Sequence, residues 1–161
     1  MNAAADPLDA THVLMHAADI AQRIPHAGRM ALLHALHRWD GDTLVCSAWN
    51  HTAADHPLRS ASGLLAPAAI EYAAQAMALH GGLMAERDHP GAAPTPGFLA
   101  SVRNVRMHVS RLDTLTSPLT VTVTRQAAQG TTLLYSFIVT AEAQPVVDGR
   151  ATVVLNTPLQ L

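Results

Sequence analysis

The sequence predicts an α+β domain in which one long, buried helix packs against an antiparallel sheet. Three observations predict it. Residues 67–80 are apolar on nearly every face, and Ala66, Ala69, Ile70, Ala73 and Met77 recur at three- and four-residue steps. Farther along, Leu119, Val121 and Val123 alternate with three threonines, the two-residue period of a half-buried strand. The runs 98–108, 132–141 and 146–155 read the same way, so strands follow the helix in series instead of alternating with further helices.

Each element follows in order within a single domain, 1–161, whose residues 1–10 read as a loose tail. From Thr11 to Arg23, Val13, Leu14, Ala17, Ala18, Ile20 and Ala21 predict a short amphipathic helix. Pro25 ends it, because proline disfavours helical geometry in the residue before it. Met30 to Trp39 is ambiguous between helix and strand. Gly41-Asp42 marks a turn, and Thr43 to Trp49 alternates as a strand. Pro67 suits the first turn of the central helix, where its missing N–H is no loss. That helix spans about 21 Å to His80 at ~1.5 Å per residue. Gly81-Gly82 offers a stop, with a continuation to Arg87 across the pair as the alternative. The proline- and glycine-rich run Asp88 to Pro96 is a connector. In the strand from Phe98 to His108, Leu99, Ser101, Arg103, Val105 and Met107 hold alternate positions. Gln129-Gly130 predicts a hairpin, and Pro145 with Asp148-Gly149 separates the last two strands.

Composition narrows the function. The chain is 49% hydrophobic with a net charge of −2, and its basic residues are all arginine, which is no footprint for nucleic acid. Cys46 stands alone in an apolar run, so no intrachain disulfide forms and the thiol reads as inert core. No basic-then-apolar leader and no stretch of membrane-spanning length is present, so a cytoplasmic location is expected. No dinucleotide fingerprint, phosphate loop or G-x-S-x-G occurs, and no cofactor is expected. His34 and His37 lack a third ligand at suitable spacing, so no metal is expected.

One residue breaks the apolar pattern of the helix. Glu71 sits about one turn in, between Ile70 and Tyr72, with Gln75 on the same face four residues on. A carboxylate on a buried helix must be paired, hydrogen-bonded or protonated. Its surroundings and the preceding loop histidine, His56, favour a functional carboxylate over a glutamate on a solvated stripe. His51, in the same loop, is the competitor to His56. His80 suits a cap at the helix C-terminus, and His26 is expected to pack and not to react.

The order of these motifs resembles the 3-hydroxyacyl-acyl-carrier-protein dehydratases, and most nearly the dehydratase-like subfamily of aryl-polyene pigment clusters. Pro25-His26-Ala-Gly-Arg-Met30, His56-Pro57-Leu58-Arg59, Ile70-Glu71-Tyr72-Ala-Ala-Gln75, Gly97-Phe98-Leu99 and His108-Val109-Ser110-Arg111-Leu112 match it in sequence. Mainstream members carry G-H-F-P-G and then P-G; here Leu65-Ala66 stands where P-G falls, and His56 precedes Glu71 by 15 residues. The resemblance implies a hot-dog fold, a sheet wrapped around a long central helix, with a first strand near Leu36. It implies removal of water from a 3-hydroxyacyl thioester on an acyl carrier protein to give a trans-2-enoyl thioester, in fatty-acid-like or polyene biosynthesis. His56 would be the base and Glu71 the acid, meeting across a homodimer. Backbone N–H groups at Gly63, Leu64 and Leu65 would hold the thioester oxygen. Gln75, Tyr72 and Phe98 would touch substrate. Arg59, Arg103, Arg106 and Arg111 would meet an acidic carrier. A hot-dog thioesterase and a non-catalytic hot-dog subunit are the alternatives, because the fold is shared by several activities.

Overall fold

The structure, a computed structural model, describes residues 12–93 and 95–155; the tail expected over 1–10 lies outside them. Among the described residues seven antiparallel strands form one sheet, and a single long helix lies against it.

The chain starts at one sheet edge. β1 (Met15–His16) pairs with β2 (Ala35–Trp39), and the Leu14 N–H donates to the Leu36 carbonyl at 2.8 Å. This pairing corrects the helix expected from Thr11. Ladder bonds claim its first half and leave only α1 (Ala17–Ala21), which buries Ile20. The ambiguous stretch after Pro25 resolves into a short 3-10 turn, Gly28–Met30, followed by β2. β2 turns into β3 (Thr43–Ala48), and the Asp40 carboxylate accepts the Asp42 and Thr43 N–H groups at 2.8 Å each, which fixes the turn.

The central helix, α2 (Ala68–Asp88), runs through Gly81-Gly82 instead of stopping there. A Cβ on Gly82 would lie 3.2 Å from the Arg23 carbonyl oxygen. The glycine therefore admits a close backbone approach, and the helix, packed on both sides of it, does not need it as a cap. His80 is correspondingly not a terminal cap. It is fully buried in the helix interior, where its Nδ1 lies 2.8 Å from the Tyr135 hydroxyl and its Nε2 2.9 Å from the Asp40 carbonyl.

From the helix the chain crosses to the opposite edge as β4 (Gly97–Met107), then returns through β5 (Leu119–Gln129), β6 (Thr132–Ala141) and β7 (Gln144–Leu155). The order across the sheet is β1-β2-β3-β5-β6-β7-β4. Leu119, Val121 and Val123, with Tyr135, Phe137 and Val139, are buried in one core with Ala69, Tyr72, Ala73 and Ala76 of α2. Small residues on the helix let it lie close to the sheet.

Two strand expectations change. β4 does not alternate cleanly: register slips between Leu99 and Ser101 and between Arg103 and Arg106, where Asn104 is left-handed (φ 53°), so nearly all of β4 is exposed. The β6–β7 turn is not at Pro145 or Asp148-Gly149 but at Glu142 and Ala143, both left-handed. Pro145 sits inside β7 where the register slips, a place that tolerates a missing N–H. Gly149 sits opposite Phe137, whose ring would lie 3.0 Å from a Cβ there.

Candidate active site at the start of the central helix

Glu71 is the half-buried acid in the first turn of α2, its side chain 30% exposed. It lies in a groove of about 470 Å³ lined by Leu58, Ser60, Leu65, Pro67, Ala68 and Ile70. The helix sets its position, and the 56–65 loop supplies the facing wall. One carboxylate oxygen, Oε1, is engaged from two sides: Gln75 Nε2 donates to it at 3.0 Å, and His26 Nε2 lies 2.8 Å away in ion-pair contact.

Gln75 does not reach for a substrate. It is fully buried, its Oε1 accepts the Leu32 N–H at 2.8 Å, and its Nε2 also donates to the Met30 carbonyl at 2.7 Å. The amide is used up in tying the 28–32 turn to the helix and in holding Glu71.

His56 is buried beside the helix but not on Glu71. The Leu58 N–H donates to its Nδ1 at 3.1 Å, which places the ring hydrogen on Nε2. That Nε2 lies 2.9 Å from the Tyr72 hydroxyl, and the hydroxyl donates to Asn50 Oδ1 at 2.6 Å. Asn50 Nδ2 in turn donates to the Leu32 carbonyl at 3.2 Å. Every polar atom in this chain has a partner, and burial pushes the His56 pKa down, so the ring is held neutral. Tyr72, expected against substrate, is a fully buried link in the same chain, and burial pushes its hydroxyl pKa well above the ordinary phenol value. His51 donates nothing to the site: its Nε2 lies 2.9 Å from the Leu115 carbonyl.

The loop before the helix is held by a buried acid. Asp113, its side chain 3% exposed, receives Arg111 through Nε at 2.9 Å and Nη2 at 2.7 Å, and Arg59 at 3.1 Å. The Arg111 fork holds the Asp113 carboxyl down at about 2. Gly63 is left-handed (φ +96°), and a Cβ there would lie 2.6 Å from Arg111 Nη2. Of the three N–H groups expected to hold a thioester oxygen, Gly63 donates to the Ser60 carbonyl at 3.0 Å and Leu64 bonds Asp113. The Leu65 N–H has no partner among the described residues. Leu64 is wholly buried, whereas Leu65 is exposed and lines the groove with Glu71. Phe98 is exposed on the edge strand β4.

A larger cleft of about 660 Å³ spans β4 to β7 and shares no residue with the groove. Its acid, Asp148, is already bound by Arg106 at 2.9 Å and His108 at 2.7 Å. The groove is the better site because it presents a carboxylate oxygen that no side chain holds. The sequence offered no sign of Asn50 or Asp113. His26 carried one, its place in the opening motif, but the motif did not reveal that its partner is Glu71.

A sheet of this strand order, curled on one long helix, places the chain among the hot-dog proteins. Within that class it belongs to the ApeP-like family, described as ApeP dehydratase, which matches residues 18–160. The fold is shared with a chain of the dehydratase heterocomplex ApeI:P from Xenorhabdus doucetiae, at TM-score 0.76 and 20% identity over 86% of this chain and 91% of that one. It is shared also with a thioesterase from Staphylococcus aureus subsp. aureus Mu50, at TM-score 0.55 and 17% identity over 75% and 90%. An uncharacterized protein from Pyrococcus horikoshii matches at TM-score 0.57 and 14% identity over 85% and 93%. Comparison with curated proteins finds no match.

Proposed function

We propose that this protein is a 3-hydroxyacyl-acyl-carrier-protein dehydratase of cytoplasmic polyene or fatty-acid-like biosynthesis. The observation that carries this is Glu71: in a chain of a dehydratase family, it is the one carboxylate of the central helix with an oxygen left open to a groove. In the reaction a base takes the α-proton, and the C–H electron pair becomes the new double bond. The C–O bond to the hydroxyl breaks, and that oxygen takes the proton of Glu71 and departs as water. The Leu65 N–H, at the mouth of the helix, is the donor for the thioester oxygen.

His56 completes the reaction as base, from the second copy in a dimer, on one structural condition. Its ring must shift its hydrogen from Nε2 to Nδ1, which breaks the bond from the Leu58 N–H and turns the Tyr72 hydroxyl into a donor to Nε2 until substrate replaces it. The surface for a second copy is β4, an edge strand that exposes Phe98, Leu99, Val102 and Met107. For the acidic carrier, Arg59 and Arg111 are engaged by Asp113 and Arg106 by Asp148. Arg103, exposed opposite Arg150, is the arginine of the four with no acidic partner among the described residues.

The test is hydration of a trans-2-enoyl carrier by the full-length protein, followed through its mass and oligomeric state. Glu71→Gln should lower the rate at least ~100-fold with an unchanged melting temperature. Hydration that survives Glu71→Gln would sink the assignment, and thiol release without hydration would identify a thioesterase. A protein inactive alone and active only with a partner dehydratase would make it the non-catalytic subunit. His56→Gln separates base from clamp: loss of turnover in a fully folded variant supports the base.

A further inference from the structure

We infer that His26 is a positioning residue for Glu71, and that with Gln75 it decides which carboxylate oxygen moves the proton. This rests on the function proposed above and concerns a residue that the sequence marks only for packing.

Gln75 can be oriented without ambiguity. The Leu32 N–H requires an acceptor, which assigns Oε1, so the amide NH2 faces both the Met30 carbonyl and Glu71 Oε1. His26 can be oriented too. Its Nδ1 is buried with no hydrogen-bond partner among the described residues. A hydrogen on Nδ1 would be a buried donor without an acceptor, while the Nε2 lone pair would face the lone pairs of a carboxylate 2.8 Å away. The tautomer with hydrogen on Nε2 avoids both faults. Oε1 of Glu71 is therefore held from two segments, by the Gln75 N–H on the helix and by His26 Nε2, 2.8 Å away on the 25–30 loop.

An oxygen that accepts the Gln75 N–H and faces the His26 ring nitrogen is committed as an acceptor. When Glu71 is the acid, its proton belongs on Oε2, the oxygen without a side-chain partner among the described residues. The pair also fixes the carboxyl plane. Gln75 alone would leave it free to turn about its terminal torsion, which is broad for glutamate. His26 approaches from a different element and removes that freedom. Proton transfer then starts from one oxygen in one orientation, which is the benefit of a preorganised donor.

The experiment uses the full-length protein with ring-15N-labelled histidine, in wild type and in the variants His26→Leu, His26→Gln and Glu71→Gln. Glutamine is chosen because its amide nitrogen falls where His26 Nε2 stands. In turnover, His26→Leu should lower kcat by about 10- to 100-fold, the scale of a misplaced reacting group, with KM within about threefold. His26→Gln should restore most of it. In the NMR spectrum, His26 should carry its hydrogen on Nε2, and that signal should move in Glu71→Gln. Wild-type kcat in His26→Leu overturns the inference. So does equal loss in both His26 variants together with a lowered melting temperature, which would make His26 a packing residue. A His26 hydrogen on Nδ1 overturns it as well. If the wild type dehydrates nothing but the Nε2 hydrogen and its response to Glu71→Gln are seen, the pairing stands and the dehydratase function falls.

Discussion

Asp113 shows how much one side chain can hold in place. Its carboxylate joins Arg59, in the 56–65 loop, to Arg111, which follows the edge strand, and the Arg111 fork keeps its pKa at about 2. Because the folded pKa lies below the ordinary aspartate value of 3.8, the pair stabilises the fold above that value, and the contribution is lost as pH falls toward 2. Asp113→Asn should lower the melting temperature at pH 7, and the gap to wild type should close as both are titrated toward pH 2. A gap that stays constant would show that the ion pair is not the source. Gly63 depends on the same contact. Gly63→Ala forces a Cβ into Arg111 at a left-handed φ and should destabilise by about 1–3 kcal/mol in a denaturant titration.

At the scale of elements, α2 presents two kinds of alanine. Ala69, Ala73 and Ala76 are wholly buried against the sheet, whereas Ala74 and Ala78 are half-buried on the open side with Glu71. Small residues here serve close approach, and a groove lies beside the helix at its first turn. Ala73→Leu should overpack the core and lose about 1–3 kcal/mol, while Ala74→Leu should fold with near-wild-type stability. Equal melting temperatures for the two variants would contradict this packing. In the sheet, Arg103 faces Arg150 directly across β4 and β7. Like charges opposite one another repel, so Arg103→Glu should stabilise by roughly 0.2–1 kcal/mol, an effect that high salt should erase.

Across the whole molecule, four histidines, His34, His51, His56 and His80, have pKa values pushed down from 6.5, in each case chiefly by burial. Folded, they stay neutral below the pH at which the unfolded chain takes up protons. The unfolded state then binds more protons, so stability is greatest above about pH 6.5 and falls as pH drops through the folded values. A melting temperature that declines steadily from pH 7.5 to pH 5 is expected, and a flat profile over that range would refute it. The same burial makes these rings poor proton carriers, and the Leu58 N–H on Nδ1 further holds the His56 hydrogen on Nε2.

By itself the sequence determined the class of fold, the course of the buried helix, the strands from Thr43 onward and the place of Glu71 in the first turn of that helix. These rest on periodicity and on the price of burying a charge, both local properties of the chain. It misplaced what depends on partners far away in sequence. Ladder bonds to Leu36 drew the first helix into the sheet, close packing on Arg23 carried α2 past its glycines, and bulges undid the alternation of β4. The site divided along the same line. Glu71 announced itself as a carboxylate in an apolar run, but a hydrogen bond has no sequence period. Only the folded chain could bring His26 to Glu71, close the line from His56 through Tyr72 to Asn50, and set Asp113 between two arginines.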